Sequence, residues 1–310
     1  MDFSSLDPVS LLATLMVAAT PILLAALGEL VVEKSGVLNL GVEGMMIIGA
    51  VAGFAAAVQT GSPLLGFVGG ALAGAMLAAL FACLTLLLLS NQVATGLALT
   101  LFGLGLAALL GQAFTGIKPP PTAHLDLPGL SDIPALGRLF FRHDAMVYIT
   151  LLSVAGIWYF LNRTRSGMIL RAVGENHDAA HSLGYNVIAI RFAAILFGGA
   201  CAGLGGAYLS LVRVPQWTEG MTAGAGWIAL AIVVFASWKP SRVLLGAWLF
   251  GGVTILQLNL QALGVPIPVA YLAMSPYIAT IVVLVIMSAD KTRANLNAPA
   301  SLGQSFHTSH

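Results

Sequence analysis

Two polar side chains, Asn39 and Glu43, interrupt an apolar segment that is otherwise long enough to cross a membrane. Residues four apart lie on one face of an α-helix, so this amide and this carboxylate would face the same neighbours. A carboxylate at membrane depth needs a partner or a water-filled cavity. The pair therefore predicts either a discontinuous helix beside a solute pathway, or a glutamate at the membrane interface that is paired with Lys34 or with backbone amides.

A second polar group lies between two strongly apolar segments and contains Asn91, Gln92 and Thr95. The side chain of Asn91 is suited to capping the helix that follows, which favours a plain turn. The alternative is an unwound stretch whose amide groups face a solute pathway. The sequence leaves both interpretations open.

The polar connection over residues 162–191 carries the signals of a short helix. Gly174 is expected to end one helical stretch and Asn176 to cap the next one. Asp178 would lie in the first turn of that new helix, and Gly184 just past its end. A short capped helix between two membrane spans is suited to docking a cytoplasmic partner. The alternative is an ordinary amphipathic loop.

Signatures of catalysis and of metal binding are missing from the sequence. His177 and His181 have the spacing of metal ligands, but no third ligand accompanies them, so we predict no metal site. Cys83 and Cys201 lie in apolar runs and are expected to be buried and unbridged. No catalytic or nucleotide-binding motif occurs, so we expect no enzyme activity and no cofactor. If ATP drives this protein, another subunit must bind it.

The composition requires membrane helices as the elements that position these residues. Of the 310 residues, 58% are hydrophobic and 8% are charged, and the formal net charge is +1. About a quarter of the residues are charged in a soluble domain, so a soluble enzyme and a nucleic-acid-binding protein are excluded. We predict an all-α, polytopic transmembrane bundle in one domain, residues 1–310, with about eight to ten spans. Nine apolar segments are expected at Val9–Leu27, Val37–Val58, Leu64–Leu89, Ala94–Phe114, Ala145–Leu161, Phe192–Val212, Gly224–Trp238 (a tilted or half-helix), Val243–Leu263 and Pro276–Ala289.

The distribution of charge indicates which way the bundle faces. Nine Lys and Arg residues fall on one side of the expected spans and four on the other, and positively charged loops stay in the cytoplasm. This predicts an N-terminus outside, an extracytoplasmic loop over residues 115–144, a cytoplasmic connection over 162–191, and a cytoplasmic, disordered tail over 290–310. The triplet Glu43–Met45 recurs as Glu219–Met221, which is a faint sign of an inverted repeat.

Three stretches of the chain carry a resemblance to a known family. They are Glu33–Met46; Gly174–Asn176 with Ala179, Ala180 and Gly184, followed by Ala202–Tyr208; and Gly226–Phe235 with Trp238, Pro240 and Gly246. Together they resemble the membrane-spanning permease subunits of ATP-binding-cassette (ABC) importers, in the ribose and branched-chain amino acid superfamily. The likeness is greatest to the nucleoside and simple-sugar branch of that superfamily.

The resemblance implies a permease subunit that moves a nucleoside or a related small polar solute, such as a simple sugar, inward by alternating access. It also implies three protein partners at a bacterial inner membrane: a cytoplasmic ABC ATPase, a second homologous permease subunit in a heterodimer, and an extracytoplasmic substrate-binding lipoprotein. The residues implied in ATPase coupling are Gly174, Glu175, Asn176, Ala179, Ala180 and Gly184. Those implied near the solute pathway are Asn39, Glu43, Asn91, Gln92 and Thr95.

Two other kinds of transporter are alternatives. One is an ABC permease of the branched-chain amino acid type. The other is an ion-coupled secondary transporter that uses Glu43 and needs no ATPase. An intramembrane enzyme would require a convergent acid–base or metal pair deep in the spans, and the sequence contains none.

Overall fold

Helices form the framework of the chain. A computed structural model describes residues 8–123, 125, 137, 141–264, 267–288 and 297–307. The helices, numbered in chain order, are α1 Pro8–Lys34, α2 Val42–Thr60, α3 Pro63–Ala82, α4 Gln92–Gly111, α5 Ala145–Arg163, α6 Arg165–Glu175, α7 His177–Ser182, α8 Val187–Tyr208, α9 Ala225–Phe235, α10 Pro240–Ala262 and α11 Val269–Ser288. Helices α3 and α8 each continue into a π-helical turn, at Cys83–Leu87 and Leu209–Arg213. No strand occurs in these described ranges, and the all-α prediction is confirmed.

Seven helices in the described ranges are long and apolar enough to cross a membrane. Two shorter apolar helices, Ala225–Phe235 and Val269–Val283, match the remaining two of the nine expected segments. Helix α9 has 11 residues, so it is about 16 Å long, roughly half of the ~30 Å thickness of a membrane core. The segment Gly224–Trp238 therefore contains a half-helix.

The break between α1 and α2 corrects one prediction. The sequence suggested a span that starts at Val37, but α2 begins at Val42 and the preceding residues 35–41 are irregular. We call these residues the α1–α2 loop. Gly36 has a φ of +87°, a left-handed conformation that ends α1. Asn39 therefore lies in the α1–α2 loop, and the expectation that it shares a helix face with Glu43 is wrong.

The last helix also begins earlier than expected. The sequence suggested a span from Pro276, whereas α11 begins at Val269 and contains Pro276 in its interior. An interior proline leaves the carbonyl four residues earlier, that of Leu272, without its helical donor. Ser275 Oγ donates to this carbonyl at 2.7 Å, which explains why the helix tolerates the proline.

Helices α1, α2, α3 and α8 meet at the centre of the bundle. A Cβ atom at Gly203 would lie 2.1 Å from the carbonyl oxygen of Gly70, and a Cβ atom at Gly206 would lie 1.8 Å from that of Met46. Neither position can carry a side chain without moving a helix. The glycines thus allow the close helix contact on which membrane bundles depend.

Residues 297–307, here called the C-terminal segment, are folded against the bundle. The sequence predicted a disordered tail over residues 290–310. Within the C-terminal segment, however, Ser301 and Phe306 are buried, and the backbone N–H of Ser301 donates to the carbonyl of Gly174 at 2.9 Å. The prediction is wrong for this segment because its few apolar side chains find a place to be buried. Residues 290–296 and 308–310 lie outside the described residues.

The expected loop over residues 115–144 is described mainly at its ends. Thr115 forms an isolated bridge with Trp217. At the other end, Asp144 Oδ1 accepts a hydrogen bond from the backbone N–H of Met146 at 2.9 Å and so caps α5. The hydroxyl of Tyr208 donates to Asp144 Oδ2 at 2.6 Å. These contacts tie the described ends of the loop to α8 and to the residues that follow it.

Candidate functional site

The α1–α2 loop and the start of α2 run alongside α4, and Glu43, in the first turn of α2, lies level with the middle of α4. The N–H of Leu38 donates to Gln92 Oε1 at 2.9 Å, at the first residue of α4. Gly44, the next residue after Glu43, packs closely against Gly103, which lies eleven residues after Gln92 on α4. Eleven helical residues rise about 16 Å, so Glu43 is roughly at the middle of a ~30 Å membrane core.

The carboxylate of Glu43 binds the N-terminus of the half-helix α9. Oε1 accepts hydrogen bonds from Thr222 Oγ1 at 2.6 Å and from the backbone N–H of Gly224 at 2.9 Å. Oε2 accepts one from the backbone N–H of Gly226 at 2.6 Å. A helix N-terminus offers free N–H groups and a partial positive charge, so it stabilises a carboxylate that is 2% exposed.

This geometry decides how Glu43 is paired. Glu43 is paired with backbone amides, but at the middle of the bundle and not at the membrane interface to which the sequence assigned that pairing. Lys34 is not its partner, because Lys34 Nζ donates to the carbonyl of Asn297 at 2.8 Å. A Cβ atom at Gly226 would lie 2.6 Å from the backbone nitrogen of Glu43. Only a glycine therefore lets the starts of α2 and α9 meet. In the second Glu-Gly-Met triplet, Glu219 is exposed ahead of α9 and has a different environment.

Asn39 shapes the α1–α2 loop. Its Oδ1 accepts a hydrogen bond from the backbone N–H of Gly41 at 2.9 Å, and its own N–H donates to Glu29 Oε1 at 3.3 Å. The side chain is fully buried. The structure therefore joins Asn39 to α1 through Glu29, and Glu43 to α9, so the two predicted pathway residues serve neighbouring but separate contacts.

Two buried carboxylates on α1 belong to this region, and sequence reasoning did not single them out. Glu29 and Glu33 lie one helical turn apart and are at most 1% exposed. The indole Nε1 of Trp238 donates to Glu33 Oε2. Within the described structure, Glu29 Oε2 and Glu33 Oε1 have no hydrogen-bond partner. Two acidic residues four apart in an apolar run were the available signal. They connect α1 with the α1–α2 loop and with the turn between α9 and α10.

The polar group around Asn91 forms a capped turn. Asn91 Oδ1 accepts a hydrogen bond from the backbone N–H of Ala94 at 3.0 Å, and Thr95 Oγ1 bonds with Ser90 Oγ at 2.8 Å. The plain-turn interpretation is confirmed, and α4 begins without an unwound stretch. Of the three predicted residues, Gln92 is the one that the structure buries and joins to the α1–α2 loop. Asn91 is exposed.

The expected short helix is present as α7. Asn176 Oδ1 accepts a hydrogen bond from the backbone N–H of Ala179 at 2.9 Å, and Gly184, with a φ of +87°, follows the helix end. The capping prediction is confirmed. Among the residues expected to couple to an ATPase, Glu175, Asn176, Ala179 and Gly184 are exposed, whereas Gly174 and Ala180 are buried. Leu183, just past α7, is 78% exposed and forms an apolar tip at the end of this helix.

Gly174 has a different local role from the one expected. The sequence predicted that it ends a helical stretch, but α6 continues to Glu175. A Cβ atom at Gly174 would lie 2.2 Å from the carbonyl oxygen of Lys34. A glycine is therefore needed at this position because α6 passes close to the end of α1. It is not needed to terminate α6.

The rings of His177 and His181 both pack edge-on against Phe306, with centroid distances of 5.4 and 5.3 Å. In the part of the chain that the structure describes, no three His, Cys, Asp or Glu side chains are grouped to hold a metal ion. His177 Nδ1 lies 3.2 Å from Arg191 Nη2. Burial, and then the positive charge of Arg191, lower the pKa of His177. Its neutral ring can therefore accept a hydrogen bond from the guanidinium.

A cavity of about 770 Å³ lies between α1, α5, α6 and α8. Its walls are almost wholly apolar and include Leu27, Ile157, Phe160, Ile190 and Phe197. A polar solute would lose its hydrogen bonds to water there without gaining others. None of the residues expected near the solute pathway lines this cavity: Asn39, Glu43, Asn91, Gln92 and Thr95.

The chain is similar to transport proteins over nearly its whole length. It is 42% identical to a Haloferax volcanii protein that is named, provisionally, as glucose ABC transporter permease protein TsgC13, across 94% of this chain and 95% of the relative. It is 34% identical to the guanosine ABC transporter permease protein NupQ of Bacillus subtilis, across 95% and 97% of the two chains. The nucleoside ABC transporter permease protein NupC of Lactococcus lactis subsp. cremoris is also 34% identical, across 88% and 90%.

No solved structure matches this chain. The profile of the family described as "Branched-chain amino acid transport system / permease component" matches residues 11–289. Together with seven long apolar helices in the described ranges, this match makes the chain a multi-pass membrane protein. It belongs to that permease family, whose members are the membrane components of ABC transporters and work with an ATPase and in pairs.

Proposed function

We propose that this chain is the permease subunit of an ABC importer that moves a nucleoside or a related small polar solute, such as a simple sugar, inward by alternating access. The observation that carries the proposal is α7, a six-residue helix that is capped by Asn176 and followed by the exposed tip Leu183. A short helix that is capped between two membrane spans and that exposes Ala179 and Leu183 offers a fixed docking surface to a protein partner. The names of the relatives favour nucleosides and sugars over branched-chain amino acids.

In this proposal the α7 end of the bundle faces the cytoplasm and the N-terminus lies outside the plasma (bacterial inner) membrane. The excess of Lys and Arg on the α7 side supports this orientation. The ATPase binds and hydrolyses ATP, so this chain carries no cofactor and catalyses no reaction. A second permease subunit forms a heterodimer with it, and a substrate-binding lipoprotein delivers the solute at the opposite end.

The contact between Glu43 and α9 is the part of this proposal that concerns the pathway. Glu43 and Thr222 hold the start of α9, while Trp238 and Glu33 hold the turn after it. The residues that precede the half-helix α9, residues 214–224, are irregular, and irregular backbone rearranges at a lower cost than a continuous helix. Displacement of the α1–α2 loop would move the start of α2, and with it Glu43 and α9.

Three hydrogen bonds to Glu43 count against the ion-coupled alternative. A carboxylate that carries a proton or a sodium ion must bind and release it in each cycle. Both oxygens of Glu43 already accept hydrogen bonds from Thr222, Gly224 and Gly226, and these donors would have to be given up. Proteoliposomes that contain the complete transporter separate the two mechanisms. We expect uptake of labelled guanosine or glucose with ATP and no uptake with a proton or sodium gradient alone.

Docking of the ATPase on α7 is tested by the substitution Ala179→Arg, at an exposed position on that helix. We expect the variant to insert normally and to lose most of its co-purifying ATPase. The matched control is Ala113→Arg, an equally small exposed residue at the far end of α4. Equal recovery of the ATPase with both variants would contradict the proposal. Labelled leucine as a third solute tests the branched-chain amino acid alternative.

A further inference from the structure

The C-terminal segment completes the end of α6. The backbone N–H of Ser301 donates to the carbonyl of Gly174 at 2.9 Å, and Ser301 Oγ donates to the carbonyl of Glu175 at 3.2 Å. The last carbonyls of a helix have no partner within it. Ser301 therefore supplies, from more than a hundred residues away, the cap that α6 lacks in its own sequence.

The same segment is joined to the α1–α2 loop. The backbone N–H of Gly303 donates to the carbonyl of Gly36 at 3.1 Å, and Lys34 Nζ donates to the carbonyl of Asn297 at 2.8 Å. The C-terminal segment thus lies between the two elements that a docked ATPase would have to connect: the α6–α7 pair and the loop that leads to Glu43.

Arg191, at the start of α8, links all three of these elements. Its side chain is fully buried. Nε donates to the carbonyl of Ser35 at 3.0 Å and Nη1 to that of Gln304 at 3.0 Å, while Nη2 lies 3.2 Å from His177 Nδ1. A buried guanidinium is costly unless its donors are used. Its fixed fork suits three acceptors on three elements, which a lysine cannot match.

Phe306 anchors the segment on α7. It is 6% exposed and packs in a small apolar cluster with Val173, Ala180 and Val187. A helix of six residues has no stability of its own in water, so the position of α7 depends on such contacts. The next residue, His307, is exposed, as is Gln304. The segment therefore adds polar surface beside the exposed tip Leu183.

We propose that the C-terminal segment and α7 together form one composite docking surface for the ATPase, and that Arg191 is the positioning residue that passes a displacement of this surface to the α1–α2 loop. The inference rests on the proposed function. The partner that fits is a protein with an apolar recess for Leu183 and polar groups opposite Gln304 and His307.

Deletion of the segment tests its share in docking. The full transporter is assembled with a chain that ends at residue 296 and, as the matched control, with one that ends at His307. We expect the shorter chain to bind the ATPase at least about tenfold more weakly, the size of effect that loss of an interface anchor produces, and the control to bind normally. Equal binding by both chains would overturn the inference. If Ala179→Arg also fails to weaken binding, the proposed function itself is wrong.

Cross-linking keeps the inference testable if the shorter chain does not fold. Cys83→Ser and Cys201→Ala provide a background without native cysteines. In the assembled transporter we expect a maleimide–benzophenone photo-cross-linker, attached through the introduced thiol, to join the ATPase to His307→Cys as well as to Leu183→Cys, and not to Ala113→Cys at the other end of the bundle. A cross-link from Leu183→Cys without one from His307→Cys would show that the ATPase does not contact the segment.

The role of Arg191 is tested by Arg191→Lys, measured as solute transported per ATP hydrolysed. A lysine keeps the charge, but its three donors share one nitrogen and cannot reach acceptors that are spread around the guanidinium fork. We expect the ATPase to stay bound and the transport ratio to fall several-fold. A merely structural role would lower the amount of folded protein and leave this ratio unchanged, and that result would remove Arg191 from the inference.

Discussion

The carboxylate of Glu43 accepts a 2.6 Å hydrogen bond from the backbone N–H of Gly226, although 183 positions separate the two residues in the chain. Each residue lies in the first turn of a helix, Glu43 in α2 and Gly226 in α9. One negative charge is thereby shared between two helix N-termini, both of which favour it. The contact holds two halves of the chain together at the middle of the bundle.

The substitution Glu43→Gln is expected to break this contact. A glutamine side chain keeps the size but replaces one of the two acceptor oxygens by an NH₂ group, which only donates, so its amide nitrogen would face a backbone N–H of α9. We expect the free energy of unfolding to fall by about 1–3 kcal/mol and ATP-driven uptake to fall with it. Thermal unfolding in detergent and uptake in proteoliposomes are the measurements.

The matched control for that substitution is Glu219→Gln, in the second Glu-Gly-Met triplet, where the side chain is exposed. It should leave both stability and uptake unchanged. If Glu43 instead carried a proton, glutamine would imitate the protonated form and Glu43→Gln would keep its stability. That outcome would contradict the role assigned to the carboxylate.

Features that depend on neighbouring residues in sequence could be predicted. Asn176 caps α7 and Asn91 caps α4. In both cases the asparagine oxygen accepts a hydrogen bond from the backbone N–H three residues later, a local pattern that the sequence shows directly. The half-helix α9 follows from the length of an apolar run. These features need no knowledge of where the rest of the chain lies.

Features that depend on distant residues could not be predicted. Asn39 is held in a loop by Glu29 on another element, and Gly174 lies inside α6 because the end of α1 passes it. The C-terminal segment is ordered by Arg191, whose partner Gln304 is 113 positions away. A polar tail by itself resembles a disordered one, because its burial comes from a site that the rest of the fold creates.

The centre of the bundle should not tolerate a methyl group at Gly206. The added Cβ atom would lie 1.8 Å from the carbonyl oxygen of Met46, so α2 and α8 would have to separate. We expect Gly206→Ala to yield little folded protein, measured as the monodisperse fraction after solubilisation. The control is Gly105→Ala on α4, where the new atom meets nothing within 4 Å. There alanine should be neutral or stabilise the helix by up to about 1 kcal/mol. Equal yields of the two variants would contradict the packing.

The hydroxyl of Tyr208 should stabilise the end of the bundle opposite α7. It donates to Asp144, which also caps α5, and both side chains are buried. Tyr208→Phe leaves Asp144 Oδ2 without that donor, and a hydrogen bond to a charged group is worth about 1.5–3 kcal/mol. We expect a lower unfolding temperature in detergent. Tyr159→Phe, at a position that is 59% exposed, should unfold at the temperature of the parent chain. A similar loss in both variants would show that the Asp144 contact contributes nothing.

Docking of the C-terminal segment should depend on pH through His177. Burial and the charge of Arg191 lower the pKa of this histidine below its ordinary 6.5, more than Asp178 raises it, and His307 lowers it further. When the C-terminal segment undocks, His177 loses the cover of Phe306 and the nearby charge of His307, so its pKa rises toward the ordinary 6.5 and the undocked state binds more protons than the docked state as the pH falls. The contribution of His177 to docking is therefore fully present above about pH 6.5. It is lost progressively as the pH falls from there to the lowered pKa of the docked state.

Hydrogen–deuterium exchange of the backbone amides in residues 297–307, corrected for the intrinsic effect of pH on exchange, measures this dependence. We expect protection to be constant from pH 8 to about 6.5 and to decrease below it. His177→Gln should flatten the profile, because its amide oxygen can accept from Arg191 but does not titrate in this range. His181→Gln should keep the dependence, because the bond with Arg191 is made by His177. Greater protection at low pH in the parent chain, or an unchanged slope in His177→Gln, would show that the segment is not held by a neutral His177.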